Sequence, residues 1–298
     1  MNVWAQLQYR LLHAASRSLA ASGLPGIRRL GAGIGALLWL ILPGRRKLAT
    51  RTIADRLNLP EAEARVLARR SFDHNARSFL EVVFAPGFDR RRPELRLDDP
   101  ERFERLRRSE RPIVIATAHL GAWEFTAGLA DDFNVSRPRT IVVRNHGNAA
   151  VRAYLADMRG GGKRQVVGHR NAVFAALKTL RKNGVVGFLV DHNCGQDEAI
   201  FLPFFGLTAA VNIGPAVLAV RADALVLPLF ILRRDDHYLL LTEEPLDAAT
   251  LPGNREERVA AVARFYTEAV ERRVRIDPEQ WFWMHKRWKT RPPDERHD

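Results

Sequence analysis

Residues 112–124, PIVIATAHLGAWE, decide the fold class, because a β-branched run leads to a histidine that a glycine soon follows. The run at 113–117 predicts a strand, Gly121 predicts a turn, and a helix is expected to begin near Trp123. The carboxyl-terminal edge of a sheet is where α/β proteins usually hold ligands. The stretch therefore predicts that His119 lies at the functional edge of a sheet.

Downstream of this strand, short β-branched runs alternate with sequence patterns typical of helices. This alternation predicts an α/β fold with a central sheet flanked by helices. The predicted strands are residues 113–117, 140–143, 185–190, 225–232 and 238–242, and the predicted helices are 125–133, 151–158, 172–182, 213–220 and a long charged helix at 254–275.

Three regions are predicted along the chain. Residues 1–85 are expected to form a helical, membrane-associated region whose last helix covers 61–84. Residues 86–290 are expected to form the α/β domain, which begins with a proline-rich loop at 86–100. Residues 291–298 are expected to be a frayed tail.

Composition narrows the classes of protein to consider. With 298 residues and 46% hydrophobic types, the chain has ample material for a packed core, which excludes disorder as its main state. The net charge of +13 implies anionic partners such as phospholipid headgroups, nucleic acid or an acidic carrier protein. Because Cys194 is the single cysteine, an intrachain disulfide and a four-cysteine zinc site are both excluded.

The amino-terminal region carries the signal for a membrane. Residues 30–42 contain no charged side chain, yet as a helix they would extend only about 20 Å, short of the roughly 30 Å core of a bilayer. Basic residues flank this run on both sides, as expected among anionic headgroups, and Trp39 suits the interface. A membrane-associated amino terminus is therefore expected, with ordinary core helices and a secretory signal as alternatives.

His119 and Glu124 form the candidate catalytic pair. On one continuous helix they would point away from each other, so a shared site needs the bend predicted at Gly121. A carboxylate beside an imidazole fixes one ring tautomer and raises the basicity of the other nitrogen, as a general base acting on a hydroxyl requires. A hydrogen-bonded structural histidine is the alternative. No metal site is expected, since the spacing is not that of zinc ligands and residues 191–194 are only a weak candidate set.

Several segments, in order, resemble the late lipid A acyltransferase family, the lauroyl- and myristoyl-transferring enzymes of Gram-negative envelopes. Residues 119–124, HLGAWE, match that family's His-x4-Asp/Glu signature. Arg144 with Asn148 resembles its Tyr-Arg-Pro…Asn segment, although the proline is absent here. Residues 191–206 resemble its Asp-His/Gln-Asn…Val-Pro-Phe-Phe-Gly block, and residues 280–289, QWFWMHKRWK, resemble its ending Trp-x-His-Arg-Arg-x-Lys.

The resemblance implies a fold, an activity and a location. It implies a mixed sheet like that of glycerolipid acyltransferases, and an O-acyltransferase that moves a fatty acyl chain from acyl carrier protein or acyl-CoA to a hydroxyl of a lipid A precursor or related glycolipid. No cofactor is implied beyond that thioester co-substrate. The implied partners are acidic acyl carrier protein, the glycolipid and the cytoplasmic face of the inner membrane, where the enzyme would be peripheral or monotopic; nucleic acid is not among them.

The resemblance also implies roles for individual residues. His119 matches the general base and Glu124 its carboxylate partner, while Arg159 aligns with an arginine near the site. Arg144, Arg159 or backbone N–H groups are the candidates for stabilising the oxyanion. Asn148 is a further candidate for binding substrate.

Asp191 and the phenylalanines that follow it are less specific candidates. Asp191 comes just after a predicted strand, so it is expected either to orient His119 or a substrate hydroxyl, or to cap a turn with Asn193. Phe204 and Phe205 belong to a compact apolar strip, which is interpreted either as a wall of an acyl groove or as core packing.

Two other functions stay open. Within the acyltransferases, the acceptor is alternatively a phosphoinositol mannoside, a lysophospholipid or an aminolipid. In a different class stands a non-catalytic basic protein that binds membranes or nucleic acid, motivated by the net charge of +13 and by the mixed tryptophans and cations of residues 281–289. A core helix end with snorkelling cations is the alternative for that segment.

Overall fold

A computed structural model describes residues 2–86, 88–133, 137–144, 147–160, 164–169, 172–293 and 295. The strands in that part of the chain are β1 (Leu95–Leu97), β2 (Ile113–Thr117), β3 (Arg139–Val143), β4 (Arg164–Gly168), β5 (Val185–Leu189), β6 (Ala199–Phe204), β7 (Leu207–Asn212), β8 (Leu225–Arg233), β9 (Tyr238–Thr242) and β10 (Leu246–Asp247). An eight-stranded sheet runs in the order β1-β9-β8-β2-β5-β3-β4, with β10 paired to β8, and β6 and β7 form a separate hairpin.

The main sheet is mixed. Five consecutive strands of the sheet run parallel to one another, in the order β8, β2, β5, β3 and β4. At the other edge, β1 is parallel to β9. Strands β9 and β10 each pair antiparallel with β8. The predicted α/β fold with a central mixed sheet flanked by helices is therefore confirmed.

The helices lie before, between and after these strands. They are α1 (Val3–Ala21), α2 (Gly23–Ile41), α3 (Pro43–Leu57), α4 (Glu61–Glu81), α5 (Pro100–Arg108), α6 (Thr126–Leu129), α7 (Ala149–Arg159), α8 (Ala172–Leu180), α9 (Gly214–Arg221) and α10 (Arg255–Ile276). The helical nature predicted for the region before residue 85 is confirmed, and the predicted helix at 125–133 is instead a short α6 between two 3-10 turns.

The predicted strands all exist, but the sequence missed others. Strand β4 is at the edge of the sheet and begins with polar Arg164 and Gln165, so it lacks a buried apolar run. The β6–β7 hairpin contains Pro203, which weakens any strand signal. Its two-residue turn has positive φ at both Phe205 (53°) and Gly206 (73°), a conformation usually indicated by Asn-Gly rather than by phenylalanine.

Alternate residues of β2 point into two cores, one on each face of the sheet. Val114 and Ala116 pack with residues of α3, α4, α8, α9 and α10. Ile113 and Ile115 pack with residues of α5 and α6. Strand β2 is therefore packed on both faces of the sheet. The residues that follow its carboxyl end start from a rigidly held strand.

The amino-terminal helices differ in how far they are packed. Helix α2 lies against α4, and contact is so close that an added Cβ on Gly31 or Gly35 would fall 2.9 Å and 2.6 Å from the Cα atoms of Arg77 and Asp73. Helix α1 buries no residue completely. By length and hydropathy α2 is also a candidate for crossing a membrane, although 28% of its most apolar 18-residue stretch is buried in the protein.

The carboxyl-terminal tryptophan segment is part of the core. Trp281, Trp283 and Arg287 are exposed by 0%, 1% and 1%, respectively. The interpretation of this segment as a surface for headgroups or nucleic acid is therefore wrong for these side chains, because they fill the space between the β6–β7 hairpin and the sheet. Of the tail predicted to be frayed, Arg291 pairs with Glu295, while residues 294 and 296–298 lie outside the described residues.

Candidate active site

Two adjacent parallel strands bring His119 and Asp191 together. Thr117 of β2 is aligned with Leu189 of β5, and the Val190 N–H donates to the Thr117 carbonyl at 2.8 Å. Both strands thus end side by side, and the first polar side chain after each lies at the same edge. This is the arrangement predicted for His119, and it is one of the two arrangements predicted for Asp191.

The turn after His119 depends on Gly121. Its φ is +63°, and a Cβ there would fall 2.1 Å from the Ile231 carbonyl oxygen, so a side chain cannot be accommodated. The Gly121 carbonyl accepts from Ser78 Oγ at 2.7 Å, and the next N–H, of Ala122, donates to Ile231 at 2.7 Å. The predicted bend is confirmed, and it is fixed from both sides.

Asp191 holds the imidazole of His119. Asp191 Oδ1 is 2.9 Å from His119 Nδ1, and Oδ2 accepts from the His119 backbone N–H at 2.9 Å and from Trp281 Nε1 at 2.8 Å. A carboxylate only accepts hydrogen bonds, so Nδ1 carries the proton and Nε2 carries the lone pair. The Asp191 side chain is fully buried, whereas the His119 side chain is 28% exposed and accessible to a reactant.

The pKa values follow from this geometry. Burial tends to raise the pKa of Asp191, but the charge of His119 and its hydrogen bond outweigh burial and leave the pKa well below its ordinary value. Burial tends to lower the pKa of His119, and here Asp191, helped by the charge of Glu124, outweighs it and raises the pKa above 6.5. The imidazole is therefore a stronger base than a free histidine.

Glu124 does not hold His119 by a hydrogen bond, which corrects the predicted pairing. Its carboxylate accepts two bonds from Arg159, at 2.8 Å from Nε and 2.6 Å from Nη2, and it is only 4% exposed. The 3-10 turn Trp123–Phe125 directs Glu124 toward the end of α7, while Asp191 already occupies Nδ1 of the imidazole. Glu124 affects His119 through its charge.

A cavity of about 570 Å³, measured out to its open mouth, lies beside this ion pair. Glu124 and Arg159 belong to its wall together with Trp123, and most of the remaining lining is apolar. The other lining residues, from β2, β3, β5 and the turn around α6, are Ile115, Thr117, Thr126, Ala127, Ala130, Thr140, Ile141, Val142, Val143, Val185, Gly187, Phe188 and Leu189.

Phe204 and Phe205 are elsewhere. They are 1% and 3% exposed and pack against Trp281, with ring centroids 5.7 Å and 6.1 Å away. Neither lines the cavity beside Glu124. The structure places them as core packing and not as a groove wall, because the hairpin turn folds them back onto the tryptophan segment.

Arg144 and Asn148 also lie outside the cavity lining. Arg144 is exposed just after β3, and its neighbours 145 and 146 lie outside the described residues. Asn148 caps α7, its side chain accepting from the N–H groups of Ala150 and Val151. Asn148 therefore positions the helix that ends at Arg159, and the structure shows no contact of either residue with His119.

Trp281 is the site residue that sequence reasoning missed. Its indole reaches Asp191 because residues 280–282 run along the loop after β2: the Phe282 N–H donates to the His119 carbonyl at 3.1 Å. The aromatic, basic composition of the segment was visible, but the contact was not. Within the described ranges, no group of three or more His, Cys, Asp or Glu side chains is arranged to hold a metal ion.

Comparison with known proteins adds to this geometry. A family model described as bacterial lipid A biosynthesis acyltransferase matches residues 5–290. The chain is 26% identical over 276 residues to the lipid A biosynthesis lauroyltransferase of Escherichia coli (strain K12), covering 90% of this chain and 87% of that relative. It is 24% identical over 302 residues to the lipid A biosynthesis palmitoleoyltransferase of the same organism, covering 98% and 90%. A lipid A biosynthesis acyltransferase of Haemophilus influenzae is 23% identical over 286 residues, covering 93% and 89%.

Proposed function

Because the chain belongs to the bacterial lipid A biosynthesis acyltransferase family, we propose that it transfers a fatty acyl chain from a thioester donor to a hydroxyl of a lipid A precursor or a related glycolipid. As a member of this family it is an acyltransferase, so the non-catalytic alternative is wrong. The observation that carries the proposal for this site is the buried Asp191 carboxylate holding Nδ1 of a partly exposed, more basic His119.

In the proposed reaction, His119 is the general base. Its Nε2 takes the proton of the acceptor hydroxyl while the oxygen attacks the thioester carbonyl. The imidazolium that forms is stabilised by Asp191, which is already in hydrogen-bonding contact with Nδ1. Collapse of the tetrahedral intermediate breaks the carbon–sulfur bond, and the thiolate takes the proton from Nε2, so His119 returns to its starting state without a covalent acyl-enzyme.

Arg159 is the candidate for stabilising the oxyanion of that intermediate. Its guanidinium lines the cavity, and Glu124 holds it in one orientation through paired hydrogen bonds. A fixed cation costs no reorganisation when negative charge develops. Glu124 is thus proposed as a positioning residue for Arg159 and as a charge that raises the pKa of His119.

The apolar cavity is the proposed acyl slot. A fatty chain gains about 0.8 kcal/mol for each methylene removed from water, so a slot lined by Ile115, Val142 and Phe188 favours it strongly. Acyl carrier protein is the proposed donor, because its acidic surface complements the net charge of +13, and acyl-CoA is the competing donor. No cofactor is required in this reaction beyond the thioester co-substrate.

A membrane location is proposed from exposed apolar side chains on α1 and α2. Trp4 and Leu11 of α1 are 67% and 59% exposed, and Leu37 and Leu40 of α2 are 54% and 69% exposed. These helices are basic as well as apolar, which suits the anionic cytoplasmic face of the inner membrane. Because the other side of α2 is packed on α4, a monotopic association fits better than a simple span.

The reaction is tested with envelope lipids. We expect mass spectrometry of cells with and without the protein to show lipids that differ by one acyl chain, and His119→Ala to behave like the deletion because loss of a general base costs about 10²- to 10⁴-fold in rate. His13→Ala, on α1, is the matched control and should restore the acylated lipid. Normal acylation by the His119→Ala protein, at normal abundance and thermal stability, would contradict the mechanism.

Purified protein identifies the donor and the need for metal. Acyl transfer from acyl carrier protein should exceed transfer from acyl-CoA and should survive EDTA. Loss of activity in EDTA that zinc restores would contradict a metal-free reaction.

The membrane association is tested by substitution, since Ile27 and Trp39 are buried and removal of α2 would disturb the core. Leu37→Ser combined with Leu40→Ser should reduce sedimentation with phosphatidylglycerol vesicles. Ile276→Ser, which changes an equally exposed residue at the end of α10, should not. Equal sedimentation of all the proteins would place the membrane contact elsewhere.

A further inference from the structure

A second cleft lies between α2, α4 and the loop that follows β8. Its volume is about 1220 Å³, measured out to its open mouth, and it shares no lining residue with the acyl cavity. Its lining residues are Arg28, His74, Arg77, Arg233, Arg234, Asp235, Asp236, His237, Leu239, Glu279 and Gln280.

Donors without partners lie in the floor of this cleft. Arg233 is 5% exposed, and its Nε and Nη2 bind Glu81, but its Nη1 has no hydrogen-bond partner among the described residues. Arg77 Nε is likewise buried without a partner. Buried polar groups in proteins are nearly always paired, so two unpaired guanidinium N–H groups from one set of lining residues indicate a missing acceptor.

The positive charge of the floor is only partly neutralised. Glu81 is committed to Arg233, and in the described chain no carboxylate forms an ion pair with Arg28 or Arg77. Arg28 instead lies over the Tyr238 ring, 5.1 Å from its centroid, and donates to the Asp235 backbone carbonyl.

The acidic residues of the lining are placed differently. Asp236 is exposed and is bound by Arg96 at 3.0 Å and by His237 at 2.6 Å. Asp235 is exposed at the rim, and Glu279 is half-buried. The cleft is therefore acidic toward solvent and basic toward its floor.

The titration of the floor residues agrees with this excess of positive charge. Burial lowers the pKa of His74 to about 3, and the charges of Arg233, Arg77 and Arg70 lower it in the same direction. Burial and the charge of Arg233 also lower the pKa of Arg77. For Arg77, burial and the neighbouring arginine outweigh the charges of Asp73 and Glu81, which act in the opposite direction.

We propose that this cleft binds a phosphoryl group, with Arg77, Arg233 and Arg28 as its donors. Guanidinium forks match the oxygens of a phosphate, and an anionic group with several acceptor oxygens satisfies donors from different helices and strands at once. Arg28 is on α2, close in sequence to the exposed Leu30, so the phosphoryl group has two sources: phosphate free in solution, or the headgroup of a lipid at the membrane surface. This binding does not depend on the proposed acyl transfer.

The full-length protein in detergent is titrated with inorganic phosphate by calorimetry, and its sedimentation is compared between phosphatidylglycerol and phosphatidylcholine vesicles. Arg77→Gln should weaken whichever binding is found by at least tenfold, and Arg77→Lys, which keeps the charge but loses the fork, should weaken it less. Arg28→Gln provides a second variant that changes a half-buried arginine on a different helix. Thermal unfolding of each variant shows that it has folded.

The outcomes separate the two sources. Saturable binding of inorganic phosphate that Arg77→Gln weakens supports a site for a free phosphoryl group. A preference for phosphatidylglycerol that Arg77→Gln removes, without binding of inorganic phosphate, supports a headgroup site. The proposal is overturned if neither probe binds, or if Arg264→Gln, which removes one exposed arginine from α10, reduces binding as much as Arg77→Gln does.

Discussion

Two carboxylates flank the edge of the sheet where His119 lies, one at the end of β5 and one in the turn after β2. The Asp191 side chain is fully buried and its partner is an imidazole, which gains and loses a proton near neutral pH. Glu124 is 4% exposed and its partner is a guanidinium, which stays charged. The first pair is built to handle a proton, and the second is built to hold a charge in place.

This difference separates two roles that the sequence had combined in Glu124. A buried carboxylate needs hydrogen-bond donors, and each of these carboxylates has one basic side chain within hydrogen-bonding distance. Which basic side chain it contacts decides what a substitution does. The comparison predicts that Asp191 controls the protonation of His119 and that Glu124 controls the position of Arg159.

Replacing Asp191 should have the largest effect on turnover. Asp191→Asn keeps the shape but removes the charge, and its amide N–H can favour the tautomer with the proton on Nε2, so kcat should fall by about 10³- to 10⁴-fold. With the Asp191 carboxylate gone, burial outweighs the remaining charge of Glu124 and lowers the pKa of His119. We expect the acid limb of the pH–rate profile, above pH 6.5 in the wild type because the pKa of His119 is raised, to move to lower pH.

The measurement is single-turnover acyl transfer across pH, together with thermal unfolding. Full activity of a folded Asp191→Asn protein would break the comparison, because Asp191 would then not control the protonation of His119.

Replacing Glu124 should have a smaller effect of a different kind. Glu124→Gln removes one side of the Arg159 fork and leaves that guanidinium free to move, and misplacement of such a group costs about 10²-fold in rate. Arg159→Gln should additionally lower the free energy of unfolding by about 3 to 5 kcal/mol, because it leaves the Glu124 carboxylate buried without its cation. Steady-state kinetics and urea unfolding measure the two effects.

The control for this prediction is Arg111→Gln, since Arg111 binds Asp247 and neither residue lines the cavity. A loss of activity equal to that of Glu124→Gln would show that the loss of any ion pair disturbs turnover.

Trp281 sharpens the comparison, because it acts on Asp191 alone. Trp281→Phe removes the indole donor to Asp191 Oδ2, and loss of one hydrogen bond to a charged group, about 1.5 kcal/mol, corresponds to roughly tenfold in kcat. Trp283→Phe is the matched control, since its indole lies in the same aromatic cluster but donates to the Pro278 carbonyl. Equal losses in both variants would assign the effect to packing.

The smallest expected effect is on the acidity of His119 in Glu124→Gln. Glu124 raises the pKa of His119 only through its charge, and Asp191 remains in place. The acid limb of the pH–rate profile should therefore move down by less in Glu124→Gln than in Asp191→Asn. The reverse order would mean that Glu124 is the group that governs the proton.

Much of the fold was accessible from the sequence, because strands and helices depend on residues that are near each other in the chain. The strands at 113–117 and 238–242 have their predicted bounds, and the others of that prediction differ by one residue at one end. The turn at Gly121 was readable for the same reason. The edge strand β4 and the hairpin turn at Phe205 were missed because neither has the local composition that usually marks such elements.

Tertiary structure decided the partners. Asp191 is 72 residues from His119 and Trp281 is 90 residues from Asp191, so both contacts depend on the order of strands in the sheet and on the path of the carboxyl-terminal segment. The sequence by itself determined most of the elements of the main sheet, the family resemblance and the position of His119 at a strand end, since these follow from local patterns. Only packing decided which carboxylate contacts the imidazole, that Phe204 and Phe205 belong to the core, and that the tryptophans are buried, because burial depends on neighbours that the chain brings together from far apart.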